Sequence, residues 1–287
     1  MPTEIVGQLS DVHIVAPGMQ LDGIVDTNVL ARAAVAALNE LDPQPAVVLV
    51  TGDVTDHGTA EEYAEARRIL DGLRAPYYVI PGNHDRRGPM RDTFGAHCPS
   101  QTDGRIAYTV DDLQIRLIAL DSLVEGEDHG TLGEAQLAWL DEVLGAQPER
   151  PTMLFVHHPP FDTGVWWMDT ARLADADAFG AVVAAHGNVV KVVCGHVHRP
   201  IHASWCGTAV AICPSTAFEI ALDLAPEARP RAVLDRPAFH LHAAHGAAVV
   251  THLVALGAAP RVLEISNFFP DWETTKDQWR TRAQSLR

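Results

Sequence analysis

Ala46-Val47-Val48-Leu49-Val50-Thr51-Gly52-Asp53 and Tyr77-Tyr78-Val79-Ile80-Pro81-Gly82-Asn83-His84-Asp85 decide the fold class of this chain. Each is a short apolar run, rich in Val and Ile, that stops at Gly or Pro and delivers a polar side chain. Such runs read as strands buried on both faces. The pattern recurs outward from them: Glu4–Ser10 stops at Asp11, Met153–Val156 at His157-His158, and Val189–Cys194 at Gly195-His196. Helical periodicity fills the intervals over Thr27–Leu41, Glu134–Leu144 and Asp175–His186. Another helix starts at Thr59, where Glu62 completes a capping box and Tyr63, Ala66, Leu70 and Leu73 share one face. Strand alternating with helix predicts parallel β-α-β units, an α/β protein.

Beyond Ile201 the pattern changes to strands and turns over Ile201–Trp205, Ala209–Cys213, Ala217–Leu222 and Ala247–Val254. These predict a second, more antiparallel sheet packed on the first, with Ala225–Pro237 as an exposed loop or peripheral excursion. The expected organisation is one domain over residues 1–267. A polar tail follows over residues 268–287, whose Phe268, Phe269, Trp272 and Trp279 fit either a subunit contact or a tail folded back on its own subunit; a homo-oligomer is expected.

Of 287 residues, 21 are Lys or Arg and 37 are Asp or Glu, so the formal charge is −16. Such a surface repels nucleic-acid polymers and anionic lipid, whereas bound divalent cations would still attract a small anionic substrate. Cys98, Cys194, Cys206 and Cys213 show neither a zinc-ribbon spacing nor a dense disulfide framework. No run reaches the ~20 apolar residues of a membrane span. The expectation is a reduced, cytoplasmic protein with no membrane partner. Its one compositional oddity is 15 histidines.

In open α/β sheets, ligands bind beyond the carboxyl ends of the strands. There the sequence places Asp11-x-His13, Gly52-Asp53, Asn83, His157 and His196-x-His198. In each x-separated pair, an extended chain would put both side chains on one side. Two carboxylates, one amide and four imidazoles are too many for one ion and fit two, provided one carboxylate bridges. The mixture suits Mn, Fe or Zn, with Co usable in vitro, over an all-oxygen or thiolate site. Two ions about 3.5–4 Å apart can hold a bridging hydroxide and clamp a phosphoryl group.

Asp11-x-His13, Gly52-Asp53, Gly82-Asn83-His84-Asp85, His157 and Gly195-His196-x-His198 together resemble the signature of the calcineurin-like metallophosphoesterases. Within that superfamily, His157-His158-Pro159-Pro160, Gly164-Val165-Trp166-Trp167-Met168-Asp169 and Leu132-Gly133-Glu134 resemble class III cyclic-nucleotide phosphodiesterases and bacterial glycerophosphodiesterases. The resemblance implies a four-layer α/β/β/α sandwich of two mixed sheets with a dimetal site at the strand ends. It assigns Asp11, His13 and His198 to one ion and Asn83, His157 and His196 to the other, bridged by Asp53. His157 is favoured over His158 because it comes first after the strand and matches the family position. The Gly-Asp-x-x-Asp pattern makes Asp56 the partner of a catalytic His84, which would bind phosphate or protonate the leaving alkoxide.

The implied activity is hydrolysis of small phosphodiesters such as 3′,5′-cyclic nucleotides or glycerophosphodiesters. The alternatives are a phosphomonoesterase or nucleotidase on the same scaffold, or a non-catalytic binding module, which would be expected to have lost ligands. Trp166, Trp167 and Met168 fit either core or subunit packing or an apolar cleft wall. His57, Arg86, Arg87 and Arg199 fit either phosphate contacts or solvated charges. His240 and His242 read as partly exposed strand histidines, with His245 and His252 nearby, in preference to a third metal site.

Overall fold

The computed structural model describes residues 3–100, 104–257 and 271–285. Contacts divide the chain into Met1–Leu256 and Gly257–Arg287. In the first unit, β1 (Glu4–Leu9), β2 (Val47–Thr51) and β3 (Tyr77–Ile80) are parallel neighbours. Helices α1 (Thr27–Asn39) and α2 (Ala60–Leu70) link them. Thr59 caps α2 through a capping box with Glu62. Between β3 and the next strand, β4 (Tyr108–Val110), lies α3 (Arg87–Phe94).

A second sheet begins with β4, β5 (Arg116–Leu120), β6 (Thr152–Val156) and β7 (Val189–Cys194). Its helices are α4 (Gly133–Gly145) and α6 (Ala176–Ala185), with the single turn α5 (Trp166–Asp169) between them. One core joins the inner faces of both sheets to α1 and α2, through Leu38, Tyr63, Val50 and Phe155. Another packs the outer face of the second sheet against α4 and α6, through Leu140, Leu154, Phe179 and Val192. Helix, sheet, sheet and helix thus stack as four layers.

Four of the C-terminal strands join the two existing sheets, and one short pair stands apart. Strands β8 (Ile201–Trp205) and β9 (Thr208–Ile212) extend the second sheet, whose order is β4-β5-β6-β7-β9-β8. Strands β12 (Ala238–His245) and β13 (Ala248–Ala255) extend the first, as β13-β12-β1-β2-β3. Backbone edges left open by β1 and β7 are better satisfied by adding strands than by a third layer. The expected Ala217–Leu222 strand shortens to β10 (Glu219–Ile220), paired only with β11 (Ala232–Val233), and this pair pins the excursion between them.

Because β12 lies against β1, its inner side chains face the opposite sheet. His240 and His242 are fully buried, not partly exposed. His242 is held between Thr251 Oγ1 and Gln8 Oε1, each at 2.9 Å.

In the second unit, helix α7 (Trp272–Ser285) sets Trp272 edge-on to Trp279, with ring centroids 5.6 Å apart. Phe268 and Phe269 lie outside the described residues. No described helix is long and apolar enough to cross a membrane.

One buried carboxylate ties together the loops that follow β2 and β3. Asp85 Oδ2 accepts the N–H groups of Val54 (3.0 Å) and Gly82 (2.9 Å). Its Oδ1 accepts the Thr55 N–H (3.2 Å), the Thr55 hydroxyl (3.2 Å) and the Tyr63 hydroxyl (2.9 Å). Burial, then the nearby Asp53 carboxylate, pushes its pKa up to about 6. An amide could satisfy only one side of this arrangement and would point N–H groups at N–H groups. Asp85→Asn is therefore expected to cost about 2–4 kcal/mol in chemical denaturation, and an unchanged midpoint would contradict the tie.

Candidate metal centre

The polar residues at the strand ends occupy backbone conformations that few side chains adopt. Asp11 (φ 52°), His13 (43°), Asp53 (47°), His196 (70°) and His198 (55°) are all left-handed. The chain at Asp11–His13 and His196–His198 is thus not extended, as expected from sequence. It coils, and that coiling turns both side chains of each pair inward. Residues held this way concentrate at functional sites, where surrounding structure over-determines them.

The surroundings here are hydrogen bonds. The Thr27 hydroxyl donates to the His13 carbonyl (2.7 Å), and Ser215 donates to that of Asp11 (2.7 Å). Asn28 grips Val15 by its N–H (3.1 Å) and carbonyl (2.9 Å). The Asp11 carboxylate accepts the His196 N–H at 3.0 and 3.1 Å, joining the first and last ligand loops. None of these supports was singled out from sequence. A signal existed for two of them, since Thr27 and Asn28 are buried polar residues on a helix face otherwise made of Ala31, Ala34, Val35 and Leu38.

All seven residues expected as ligands come together. Asp11, His13, Asp53 and His198 offer ligand atoms within 4.8 Å of one another. On the other side of Asp53, His157 Nε2 lies 3.1 Å from Asn83 Oδ1 and 3.4 Å from Asp53 Oδ2, and His196 Nδ1 lies 3.0 Å from Asn83 Oδ1.

Hydrogen-bond partners fix which atoms carry protons. His13 Nδ1–H donates to Asp56 Oδ1 (3.0 Å), His198 Nδ1–H to the Phe218 carbonyl (3.1 Å), and His157 Nδ1–H to the Thr51 carbonyl (2.8 Å). Each neutral ring then presents a bare Nε2. The bare nitrogens of His13 and His198 face each other at 3.2 Å. That of His157 faces only amide and carboxylate oxygens. Acceptors turned on acceptors at largely buried positions suit cations between them, so the donor set fits a pair of metal ions. His158 is also within reach of His157 and His196. Its nitrogens are occupied, however, by the Ser122 hydroxyl (2.7 Å) and the Asp128 carbonyl (3.1 Å).

The electrostatics are consistent with this grouping. Burial drives the Asp53 carboxyl upward, but His157, with His84 and His13, outweighs it and holds the group well below its ordinary value. Burial alone would lower the His157 imidazole, yet without cations Asp53 and Asp11 raise it to about 9, so a metal ion there would displace the proton on Nε2. His196 is pushed down to about 3 by burial and by the neighbouring His157.

The Asp56 side chain does not engage His84 as expected. Its Oδ1 sits 3.0 Å from His13 Nδ1 but 3.6 Å from His84 Nδ1, and the His84 Nδ1–H donates to the Asp56 backbone carbonyl at 2.8 Å. The carboxylate thus orients a metal-facing ring, while the main chain of the same residue orients His84. Burial opposes charge on His84, but the Asp53 carboxylate prevails and raises its pKa.

Of the arginines left open by the sequence, Arg199 pairs with Glu219, and Arg87 forms a two-point bridge with Asp121 at 2.7 and 2.8 Å. Arg86 bonds the Asp85 carbonyl at 2.7 Å. His57, mostly exposed, pairs with Glu62 at 2.9 Å. A cavity of about 440 Å³ opens over the cluster, floored by His13, Asp53, Asn83, His84, His196 and His198. Trp167, Met168, Phe218 and Ile220 form an apolar wall.

A cluster of histidines and carboxylates at the strand ends of an α/β/β/α sandwich fits a metal-dependent phosphoesterase. The chain belongs to the calcineurin-like phosphoesterase family, whose model matches residues 6–200. It is 34% identical over 239 residues to a probable glycerophosphodiester phosphodiesterase, GpdQ, of Arcobacter nitrofigilis, covering 83% of this chain and 88% of that protein. It is 38% identical to a probable cyclic nucleotide phosphodiesterase of Rhodopseudomonas palustris, over 76% of this chain and 80% of the other. With the 3',5'-cyclic adenosine monophosphate phosphodiesterase CpdA of Escherichia coli it shares 30% identity, over 74% of this chain and 76% of CpdA. In fold it is similar to a dimetal phosphatase from Danio rerio, with TM-score 0.65 and 15% identity, covering 90% of this chain and 100% of that one.

Two glycines keep the ligand loops close. Gly52 has φ +91°, and a Cβ there would lie 2.3 Å from His157 Nδ1. A Cβ on Gly82, whose φ is ordinary, would lie 2.2 Å from Asp53 Oδ1. Gly82→Ala is therefore expected to displace the shared carboxylate. Elemental analysis should give two metals per chain for the parent and at most one for the variant; full loading of the variant would contradict the packing.

Proposed function

We propose that the protein hydrolyses small phosphodiesters at this centre, with Asp11, His13 and His198 holding one ion, Asn83, His157 and His196 the other, and Asp53 both. Metal-dependent phosphodiester hydrolysis accords with the family and with relatives named for cyclic-nucleotide and glycerophosphodiester substrates. The observation that carries the reading is the acceptor-only cluster at the floor of an open cavity, beside a histidine that holds no place among the ligands. When bound, divalent cations such as Mn, Fe or Zn supply Lewis acidity, polarising phosphoryl oxygen and acidifying water.

The protein's own groups supply position and protons. The Asp56 carbonyl fixes His84 through Nδ1, which leaves Nε2 to face the cavity. When the ring is protonated, Nε2 carries a hydrogen as well as Nδ1. Nε2–H can then bind a phosphoryl oxygen and pass a proton to the departing alkoxide. Trp167 offers apolar contact to the ester group. With the chain at −16, a long polyanion is repelled while a small diester reaches the cation-lined floor.

The test compares 3′,5′-cyclic AMP, glycerophosphoethanolamine, an aryl diester and the matching monoester, with Mn²⁺ present. Diester turnover that chelation abolishes and Mn²⁺, Co²⁺ or Zn²⁺ restores is expected, with little activity on duplex DNA. Hydrolysis of the monoester alone would replace this reading with a phosphomonoesterase. His84→Ala should cost roughly 10²–10⁴-fold in kcat with metal content intact; unchanged kcat would remove its role. Trp167→Ala should change KM or substrate ranking without loss of metal.

We also propose a cytoplasmic homo-oligomer. Four unpaired cysteines, Cys206 exposed, suit a reducing compartment. The tryptophan pair of α7, with Trp279 about half exposed, suits a subunit contact. Light scattering at micromolar concentration should give at least a dimer mass, and a monomer mass would refute the assembly.

A further inference from the structure

A second cavity, of about 390 Å³, adjoins the metal-floored one. Leu21, Asp22, Trp167, Phe218 and Ile220 belong to the walls of both, so the two are continuous. The chemistry changes sharply across this shared boundary. The first cavity is floored by histidines, Asn83 and Asp53. The outer walls of the second are Ile24, Val25, Pro230, Ala232 and Leu234, and its polar side chains are Asp22 and Arg231. Arg231 is already bound to Asp223 at 2.7 Å. Asp223 offsets part of the charge of the one cation there, and Asp22 at the boundary opposes a second anion.

The walls are held in place. Leu21 and Val25 close a tight loop, with the Leu21 N–H donating to the Val25 carbonyl at 2.8 Å. The β10–β11 pair and a bond from Trp166 Nε1 to the Ala228 carbonyl (2.9 Å) fix the excursion against the loop that carries Trp167. Even so, Ile24 is 67% exposed and Leu234 47% exposed at the mouth. Large apolar side chains kept in water beside a reaction centre gain contacts when a ligand covers them.

We propose that this second cavity is a subsite for a neutral, apolar ester substituent, so that the preferred substrates are monoanionic phosphodiesters carrying an alkyl or aryl group. The proposal rests on the phosphodiesterase reading above and narrows its substrate class. The phosphoryl group sits over the metal floor, and its substituent crosses between Trp167 and Leu21 to lie against Ile24 and Leu234. Glycerol or another polyhydroxylated group would surrender hydrogen bonds to water here and find few in return. A substituent bearing its own phosphate or carboxylate would meet the Asp22 carboxylate, and the only cation in the walls, Arg231, is already paired with Asp223.

The test uses methyl, butyl and hexyl p-nitrophenyl phosphates, which share one leaving group and differ only in the retained ester. With the Mn²⁺-loaded enzyme, kcat/KM should rise roughly twofold per added methylene, about half the effect of full burial, to about thirtyfold between methyl and hexyl. Ile24→Asp and Leu234→Asp, both at exposed positions, should each reduce that hexyl-to-methyl ratio to about threefold or less. Leu234→Met, which conserves volume and polarity, should retain it. A flat series in the parent enzyme, or a ratio that survives both aspartates, would overturn the subsite while leaving the phosphodiesterase reading intact. Absence of turnover on all three esters would overturn both.

Discussion

One electrostatic feature organises this structure: a largely buried cluster on which imidazole nitrogens and carboxylate and amide oxygens converge. His13, His157 and His198 have each committed a ring N–H to a protein oxygen and turned the bare nitrogen inward. Asp11, Asp53 and Asn83 add oxygens and no counter-charge beyond the rings. Left as neutral rings and anionic carboxylates without cations, such a cluster would carry several unsatisfied acceptors at a few kcal/mol each. Divalent cations convert that cost into binding energy, and this coupling makes the site specific for metal. The Asp56 carboxylate behind His13 shows the same logic one layer out, because it fixes the ring's tautomer and leaves the ligating nitrogen free.

The fold supplies rigidity in proportion. Five left-handed non-glycine residues lie among the seven ligands, each disfavoured by about 1–3 kcal/mol in an unsupported chain. They persist because Thr27, Asn28, Ser215 and Asp85 hold the loops from behind, and two cores fasten the strands that carry them. Asp85 also explains why Gly82-Asn83-His84-Asp85 behaves as one unit. The same residue that closes its turn ties it to the loop carrying Asp53. Stability and site geometry therefore share hydrogen bonds, and a change aimed at one will register in the other.

The residues that the fold gathers into this cluster were legible in sequence because they follow short apolar runs, where chemistry and strand termination coincide. What stayed hidden was relational. That Asp56 serves His13 with its carboxylate and His84 with its carbonyl depends on how the loop after β2 coils, which residue identity does not encode. Strand β5 was not identified from sequence; its first residue, Arg116, is buried in the fold and paired with Asp111. The C-terminal strands were recognised, but not the sheets they join, since strand propensity carries no information about which open edge is nearest. His240 and His242 appeared exposed for the same reason: only the docking of β12 on β1 reveals that their face looks inward.

The measurement that bears most directly on the central claim is anomalous diffraction from crystals of the Mn²⁺-loaded protein. The account predicts two peaks about 3.5–4 Å apart. One should be bound by Asp11, His13 and His198, the other by Asn83, His157 and His196, with Asp53 touching both and His158 still engaged with Ser122. A single peak, or a peak ligated by His158 in place of His157, would contradict it.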